Sequence, residues 1–200
     1  MRFLRSVIIA ASLAGVAHAG PSTSTSTSTS TSTSTSTSTS TSTSTSTKAL
    51  PARLLEHYGS KAGYRAVKAD VMSWFGTTKN GCVAFLSSAL RQIGVEVPRD
   101  GIYDGERVSL LTRPLSVYLE RELGFRRIES ASALRPGDIA FTENPEYPWH
   151  VYVFHSWKDQ KRFIANVIDN QGATHPRHLF SAGSHNWTPF AYALRAPGQQ

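Results

Sequence analysis

The chain has 200 residues, of which 40% are hydrophobic and 10% aromatic, and its formal net charge is +7. This length suits one domain with its own core rather than several, and the single cysteine excludes an internal disulfide. The positive charge suits anionic partners such as envelope polymers, phospholipid or nucleic acid, but the sequence carries no nucleic-acid-binding motif.

Residues 1–19 have the pattern of a secretory signal peptide. Arg2 and Arg5 precede a short apolar run, and an Ala-His-Ala cleavage motif ends at residue 19. The apolar run is too short to span a membrane. The sequence therefore predicts an exported product, secreted or periplasmic, that is associated with the cell envelope and has no stable membrane anchor.

Residues 20–47 form a second region, in which Ser and Thr alternate without interruption from residue 22. The tract has no apolar side chains whose burial could offset the entropy of ordering the chain, so it is predicted to be a disordered linker. Its composition is also that of an O-glycosylated stalk. The remaining residues, 48–200, are predicted to fold as one domain.

The first half of this domain has helical patterns. The helix that contains the cysteine has apolar residues on one face, and Asn80 is predicted to cap its start. A proline at a first-turn position opens the last of the helices, and a glycine follows the end of each. The predicted helices cover residues 50–58, 63–75, 82–93 and 113–123.

Short segments rich in β-branched and aromatic residues follow, which is the pattern of strands. They cover residues 139–141, 151–154 and 163–168, with a closing strand at 190–194. A turn is predicted at residues 157–161. Helices followed by an antiparallel sheet indicate an α+β domain.

Cys82 stands at the first turn of a helix whose body is predicted to be buried. Free backbone N–H groups and the positive end of the helix dipole favour a thiolate at that position, and a thiolate is the form of cysteine that acts as a nucleophile. The alternative is that Cys82 is a small buried hydrophobic residue. In an oxidising compartment a lone thiol is a liability unless it is buried or used.

His150 begins the second predicted strand, and polar residues cluster at the end of the third. If these two strands form a hairpin, His150 lies near Asn166, Asp169 and Asn170, any of which could orient its imidazole. Strict alternation along the third strand puts Asn166 and Asp169 on opposite faces. Asp138, in a Pro-Gly-Asp turn, is predicted to be a turn or capping residue rather than a catalytic one.

Three motifs together resemble the NlpC/P60 and CHAP cysteine peptidases and amidases, which cut bacterial peptidoglycan. They are Gly-Cys at the start of a helix, Arg-Pro-Gly-Asp-Ile-Ala-Phe at residues 135–141, and His-Val-Tyr-Val at residues 150–153. The resemblance covers residues 77–172. It implies that residues 48–200 are a catalytic domain of papain-like fold, with N-terminal helices packed on an antiparallel sheet.

The resemblance also implies a role for each matching residue. Cys82 matches the nucleophile and His150 the general base, while Asp169 is favoured as the residue that orients the histidine, ahead of Asn166 and then Asn170. It implies cleavage of amide bonds in peptidoglycan, without a metal or other cofactor. The sequence does not indicate which amide bond is cut, whose cell wall is attacked or which oligomeric state the protein adopts.

Two departures leave the subgroup open. Gly81 stands where CHAP domains usually carry Gln, and Val83 and Ala84 stand where NlpC/P60 domains commonly have a small polar residue. Two other functions therefore remain open. One is a toxin-like amidase, deamidase or acyltransferase that acts on another protein or lipid, and the other is a non-catalytic envelope-binding module.

Aromatic residues near His150, above all Trp149 and Tyr147, are predicted to bind substrate in a groove. His175 and His178 have a spacing that could hold a metal ion. Pro176 lies between them, however, and no cysteine or acidic cluster accompanies them. The sequence therefore predicts no zinc site.

Overall fold

The computed structural model describes residues 48–143, 149–180 and 188–199. The predicted signal peptide, the Ser-Thr tract and Tyr147 lie outside the described residues. No helix within the described ranges is long and apolar enough to cross a membrane.

The helical part agrees with the sequence pattern to within a few residues. The side chain of Ser60 caps the second helix by accepting a hydrogen bond from Gly63 N at 3.0 Å, which ends the short connection from the first helix. The α-helices of the described residues are α1 Leu50–Tyr58, α2 Lys61–Trp74, α3 Cys82–Gln92 and α4 Thr112–Arg121, and a 3₁₀ turn covers Ala131–Ala133.

Within the described ranges, the strands form a two-stranded ribbon and a six-stranded sheet, and every pairing is antiparallel. The ribbon contains β1 Ile102–Tyr103 and β2 Glu106–Arg107. The sheet contains β3 Arg126–Ile128, β4 Ile139–Thr142, β5 Val151–Asp159, β6 Ile164–Asp169, β7 Gly172–His178 and β8 Phe190–Arg195, in the order β3-β8-β4-β5-β6-β7. The α+β class predicted from the sequence is confirmed.

Helix α3 lies at the centre of the molecule. Its residues from Cys82 to Leu90 are all buried, so it has no face open to solvent along most of its length. The same core cluster holds residues from α1, α2, α4 and the sheet, among them Leu54, Val67, Leu119 and Ile168. A helix packed on several sides is held firmly, and this fixes where its first residue lies.

The sheet differs from the sequence expectations at two places. The hairpin turn predicted at residues 157–161 lies at residues 160–163, because β5 runs on to Asp159 and Trp157 packs edge-on against Phe154 and Phe163. Strands β3 and β7 were not predicted. Strand β7 is polar and contains Pro176, and it can do so because it lies at the edge of the sheet, where backbone donors are not all needed.

The Pro-Gly-Asp turn, which precedes β4, packs the sheet against the first helix. Gly137 has a φ of +92° and lies against Pro51, so that a β-carbon at this position would lie 2.4 Å from the proline ring. Asp138 accepts a hydrogen bond from Arg135 N at 2.8 Å and a two-pronged one from Arg195 at 2.8 and 3.0 Å. Its contacts are those of a turn and ion-pair residue.

Candidate active site

Cys82 is the first residue of α3, and Gly81 occupies the N-cap position. The glycine has no side chain to bond the free N–H groups of the first turn, and Asn80 does not do so either. Asn80 was predicted to be the cap, and this is wrong. It lies one residue too early, in the left-handed region at φ +55°, where it turns the chain into the helix.

The Cys82 thiol is buried, with 9% of the residue exposed, and it contacts His150. Burial alone would raise the pKa of the thiol. The hydrogen bond and charge of His150, together with the backbone N–H groups of Val151 and Val83, outweigh burial and lower that pKa below its usual value. The surroundings of Cys82 thus favour a thiolate, which separates it from an inert core cysteine.

His150 lies immediately before β5 and is held there by its backbone. Its carbonyl accepts a hydrogen bond from Thr142 N at 3.1 Å, and its ring Nε2 lies 3.0 Å from Asp169 Oδ2. Burial alone would lower the pKa of His150, but the bonds to Asp169 and Cys82 raise it to about 9. Because Nε2 donates to Asp169, Nδ1 is the ring nitrogen left for the thiol.

Asp169 ends β6, and its side chain is fully buried. Oδ2 accepts from His150, while Oδ1 accepts from His175 Nε2 at 2.9 Å and from Gln171 N at 2.7 Å. Burial alone would raise the pKa of this carboxyl, but the bonds to the two histidines hold it well below its usual range. A buried aspartate with three donors is a fixed negative charge.

The structure therefore distinguishes between the three residues that the sequence left open. Asp169 is the one that contacts His150. Asn166 donates to Ser156 Oγ at 3.1 Å, and Asn170 donates to Thr78 O at 3.2 Å. Shifts in strand register on both sides of β6 set the partners of each residue, so that Asn166 lies opposite Ser156 and Asp169 lies opposite Gly172.

Sequence reasoning missed His175 as part of this site and considered it only as a metal ligand. It lies on β7, opposite Val167, and reaches Asp169 because the pairing of β6 with β7 shifts register between Val167 and Asp169. Spacing along the chain gave no sign of this contact. Among the described residues, no group of three or more His, Cys, Asp or Glu side chains is arranged to hold a metal ion.

Two tyrosines that interact with Asp169 were not predicted either. Tyr58 and Tyr64 stack with ring centroids 5.8 Å apart. Burial, followed by the charge of Asp169, raises the pKa of Tyr64 to about 12 and that of Tyr58 well above its usual value. Both phenols are thus kept neutral.

An open cavity of about 360 Å³ leads from solvent to Cys82. Trp149 stands at its rim with 67% of its surface exposed, as expected for a residue that meets a substrate; Tyr147 lies outside the described residues. A larger cavity of about 660 Å³ lies beside α1 and α2, without a cysteine in its lining. The other residues that line the cavity at the thiol are Asn80, Cys82, Val83, Leu110, Leu111 and Thr112.

Taken together, the residues form a thiol, an imidazole and a carboxylate in hydrogen-bonded series at a helix N-terminus, beside an open cavity. Such a series can transfer a proton from the thiol to the imidazole and hold the resulting ion pair. Comparison of the chain with protein-family models, curated proteins and solved structures finds no match. The arrangement of the site and the sequence motifs are therefore the basis for assigning a function.

Proposed function

We propose that this protein is an exported cysteine hydrolase of papain-like fold that cleaves amide bonds in peptidoglycan, as an amidase or endopeptidase. The observation that carries the proposal is the hydrogen-bonded series Cys82, His150 and Asp169 at the start of α3. In this series the pKa of the thiol is lowered and that of the imidazole is raised to about 9. A resting thiolate–imidazolium pair is the expected state at neutral pH.

The mechanism follows from these contacts. The Cys82 thiolate attacks the carbonyl carbon of the scissile amide, and the carbonyl oxygen becomes an oxyanion. His150 gives its proton to the leaving amine, which departs and leaves a thioester on Cys82. A water molecule then adds to the thioester, losing its proton to His150, and the product acid leaves with the thiolate restored.

The oxyanion needs hydrogen-bond donors close to the thiol. The backbone N–H of Cys82, at the uncapped N-terminus of α3, is one such donor, and the helix dipole favours negative charge there. Asp169 remains ionised throughout and holds the imidazole tautomer in which Nδ1 faces the sulfur.

Peptidoglycan as the substrate is supported by several features of the sequence. The motifs that resemble those of NlpC/P60 and CHAP domains, the predicted signal peptide and the basic net charge all suit an enzyme of the cell envelope. That charge is +7 for the whole chain and 7 − 2 = +5 once Arg2 and Arg5 are removed with the signal peptide. The cavity is open and has an exposed aromatic side chain at its rim, which suits a polymer strand carrying short peptides.

The test is digestion of purified peptidoglycan by the full chain, with Cys82→Ala and Cys82→Ser run beside wild type. We expect new amino groups from wild type and a loss of at least about 10⁴-fold in both variants, because neither side chain supplies a thiolate. Circular dichroism checks that the variants fold. Fragment masses then separate amidase cleavage from endopeptidase cleavage.

Three results would overturn the proposal, and each points to a different alternative. Full activity in Cys82→Ala would show that Cys82 is not the nucleophile. Intact peptidoglycan together with rapid labelling of Cys82 by iodoacetamide at neutral pH would indicate a reactive enzyme with a protein or lipid substrate. Intact peptidoglycan without labelling would indicate a binding module.

A further inference from the structure

Asp169 is shared between two histidines, of which only one contacts the thiol. Oδ2 faces His150 at 3.0 Å, and Oδ1 faces His175 at 2.9 Å. The His175 side chain is 21% exposed, so it lies between the buried carboxylate and solvent. We propose that His175 is a positioning residue that acts on His150 through the shared Asp169 carboxylate.

The tautomer of His175 follows from its partner. An ionised carboxylate has no hydrogen to give, so the short contact at Oδ1 requires a hydrogen on His175 Nε2. The bond is therefore His175 Nε2–H donating to Asp169, parallel to the bond that His150 donates from the other side. Both imidazoles are held in the same tautomer by one carboxylate.

The bond from His175 restricts rotation of the Asp169 carboxylate. A carboxyl group turns readily about its last carbon–carbon bond unless both oxygens are bonded. On Oδ1, His175 and Gln171 N together fix the plane of the group, so that Oδ2 stays directed at His150. Without His175, Oδ1 keeps one backbone donor, and the alignment of Oδ2 with the His150 ring is less restricted.

The position of His175 makes it a specific partner for Asp169. Among the described strands, β7 is an edge strand and pairs with β6 alone, the strand that carries Asp169. The other groups that interact electrostatically with Asp169 are Tyr58, Tyr64, Tyr152 and Arg177. All four are kept when His175 is substituted, so a matched pair of variants isolates the hydrogen bond.

The matched pair is His175→Gln and His175→Asn. The amide nitrogen of Gln lies as many bonds from the backbone as His Nε2 and can donate to Oδ1, whereas that of Asn is one bond too short. The first measurement is the rate of iodoacetamide alkylation of Cys82 in the full chain against pH, which needs no substrate. The second is kcat and KM for release of peptides from peptidoglycan.

We expect His175→Gln to match wild type in both measurements. His175→Asn should raise the pH midpoint of alkylation by about half a unit to one unit, because a misaligned carboxylate stabilises the imidazolium less. It should lower kcat by about 10- to 100-fold, as loss of an outer hydrogen-bond partner does in other sites, and leave KM unchanged. A residue with only a structural role would not shift the alkylation midpoint.

The proposal is overturned if the two variants behave alike, whether both match wild type or both are impaired. If His175→Asn does not fold, His175→Ala takes its place, because alanine also lacks the donor. A raised midpoint in His175→Ala beside an unchanged one in His175→Gln then supports the role of the N–H donor, and an unchanged midpoint in both overturns it. The measurement of kcat and KM rests on the proposed function. If wild type leaves peptidoglycan intact, that function is wrong, but the pH midpoints of alkylation still decide the role of His175.

Discussion

Two buried carboxylates in the sheet meet different partners. Asp138, next to β4, is paired with Arg195 of β8, and Asp169, at the end of β6, is paired with His150 and His175. Both carboxylate side chains have no exposed surface. Arginine stays charged at every pH that the fold experiences, whereas histidine can gain and lose a proton.

The different partners of Asp138 and Asp169 show what makes a buried charge useful for chemistry. The pair of Asp138 and Arg195 ties two neighbouring strands. The carboxylate of Asp169 instead acts on an imidazole that touches a thiol, so its charge changes the protonation of a reactive group. Burial is common to both, and the partner decides the role.

The largest expected effect is on activity, in Asp169→Asn. The amide has one oxygen for two imidazole N–H donors, and it carries no charge to hold the imidazolium. We expect kcat for peptidoglycan cleavage to fall by about 10³- to 10⁴-fold, with a folded protein by circular dichroism. Activity close to wild type would remove Asp169 from the mechanism and would end the contrast with Asp138.

Asp138→Asn should give the opposite pattern. Arg195 would be left as a buried charge without its counter-ion, and we expect the free energy of unfolding to fall by about 3–5 kcal/mol, measured by urea denaturation. The kcat of the molecules that remain folded should be unchanged. The matched control is Asp70→Asn, in which the loss of partly exposed ion pairs with Arg99 and Arg91 should cost at most about 1 kcal/mol.

The pH dependence of activity is a further test of the contrast between Asp169 and Asp138. His150 must carry a proton to give to the leaving amine, and its pKa is raised to about 9, so activity should fall as the pH rises through about 9. In Asp169→Asn this basic limb should move towards neutral pH, since the charge that holds the proton is gone. In Asp138→Asn it should not move, and an equal shift in both variants would contradict the assignment.

The smallest expected effect is that of Trp149→Ala. Trp149 is 67% exposed at the rim of the cavity, so its loss should leave the fold unchanged and remove only contact with substrate. We expect KM for peptidoglycan to rise by about threefold to tenfold, while the alkylation rate of Cys82 stays as in wild type. The control is Met72→Ala, a 45% exposed apolar residue on α2 that should change neither measurement.

Much of the fold was predictable because its signals are local. The bounds of α1 and α3 follow from the apolar spacing within each helix and from the glycine next to its end or its start. The ends of β4 and β8 follow from short runs of β-branched and aromatic residues. The polar edge strand β7 was missed because its hydrogen bonds come from β6, and its own residues carry no strand pattern.

For the candidate site, local residue patterns were enough to predict that Cys82 begins a buried helix and that His150 lies at the start of a strand, since each depends on neighbouring residues. The contacts between distant residues required the folded chain: Asp169, and neither Asn166 nor Asn170, bonds His150, and His175 bonds Asp169. The physical reason is register. Shifts in the pairing of β6 with both of its neighbours set which side chains meet, and such shifts depend on how whole strands pack rather than on the residues in between.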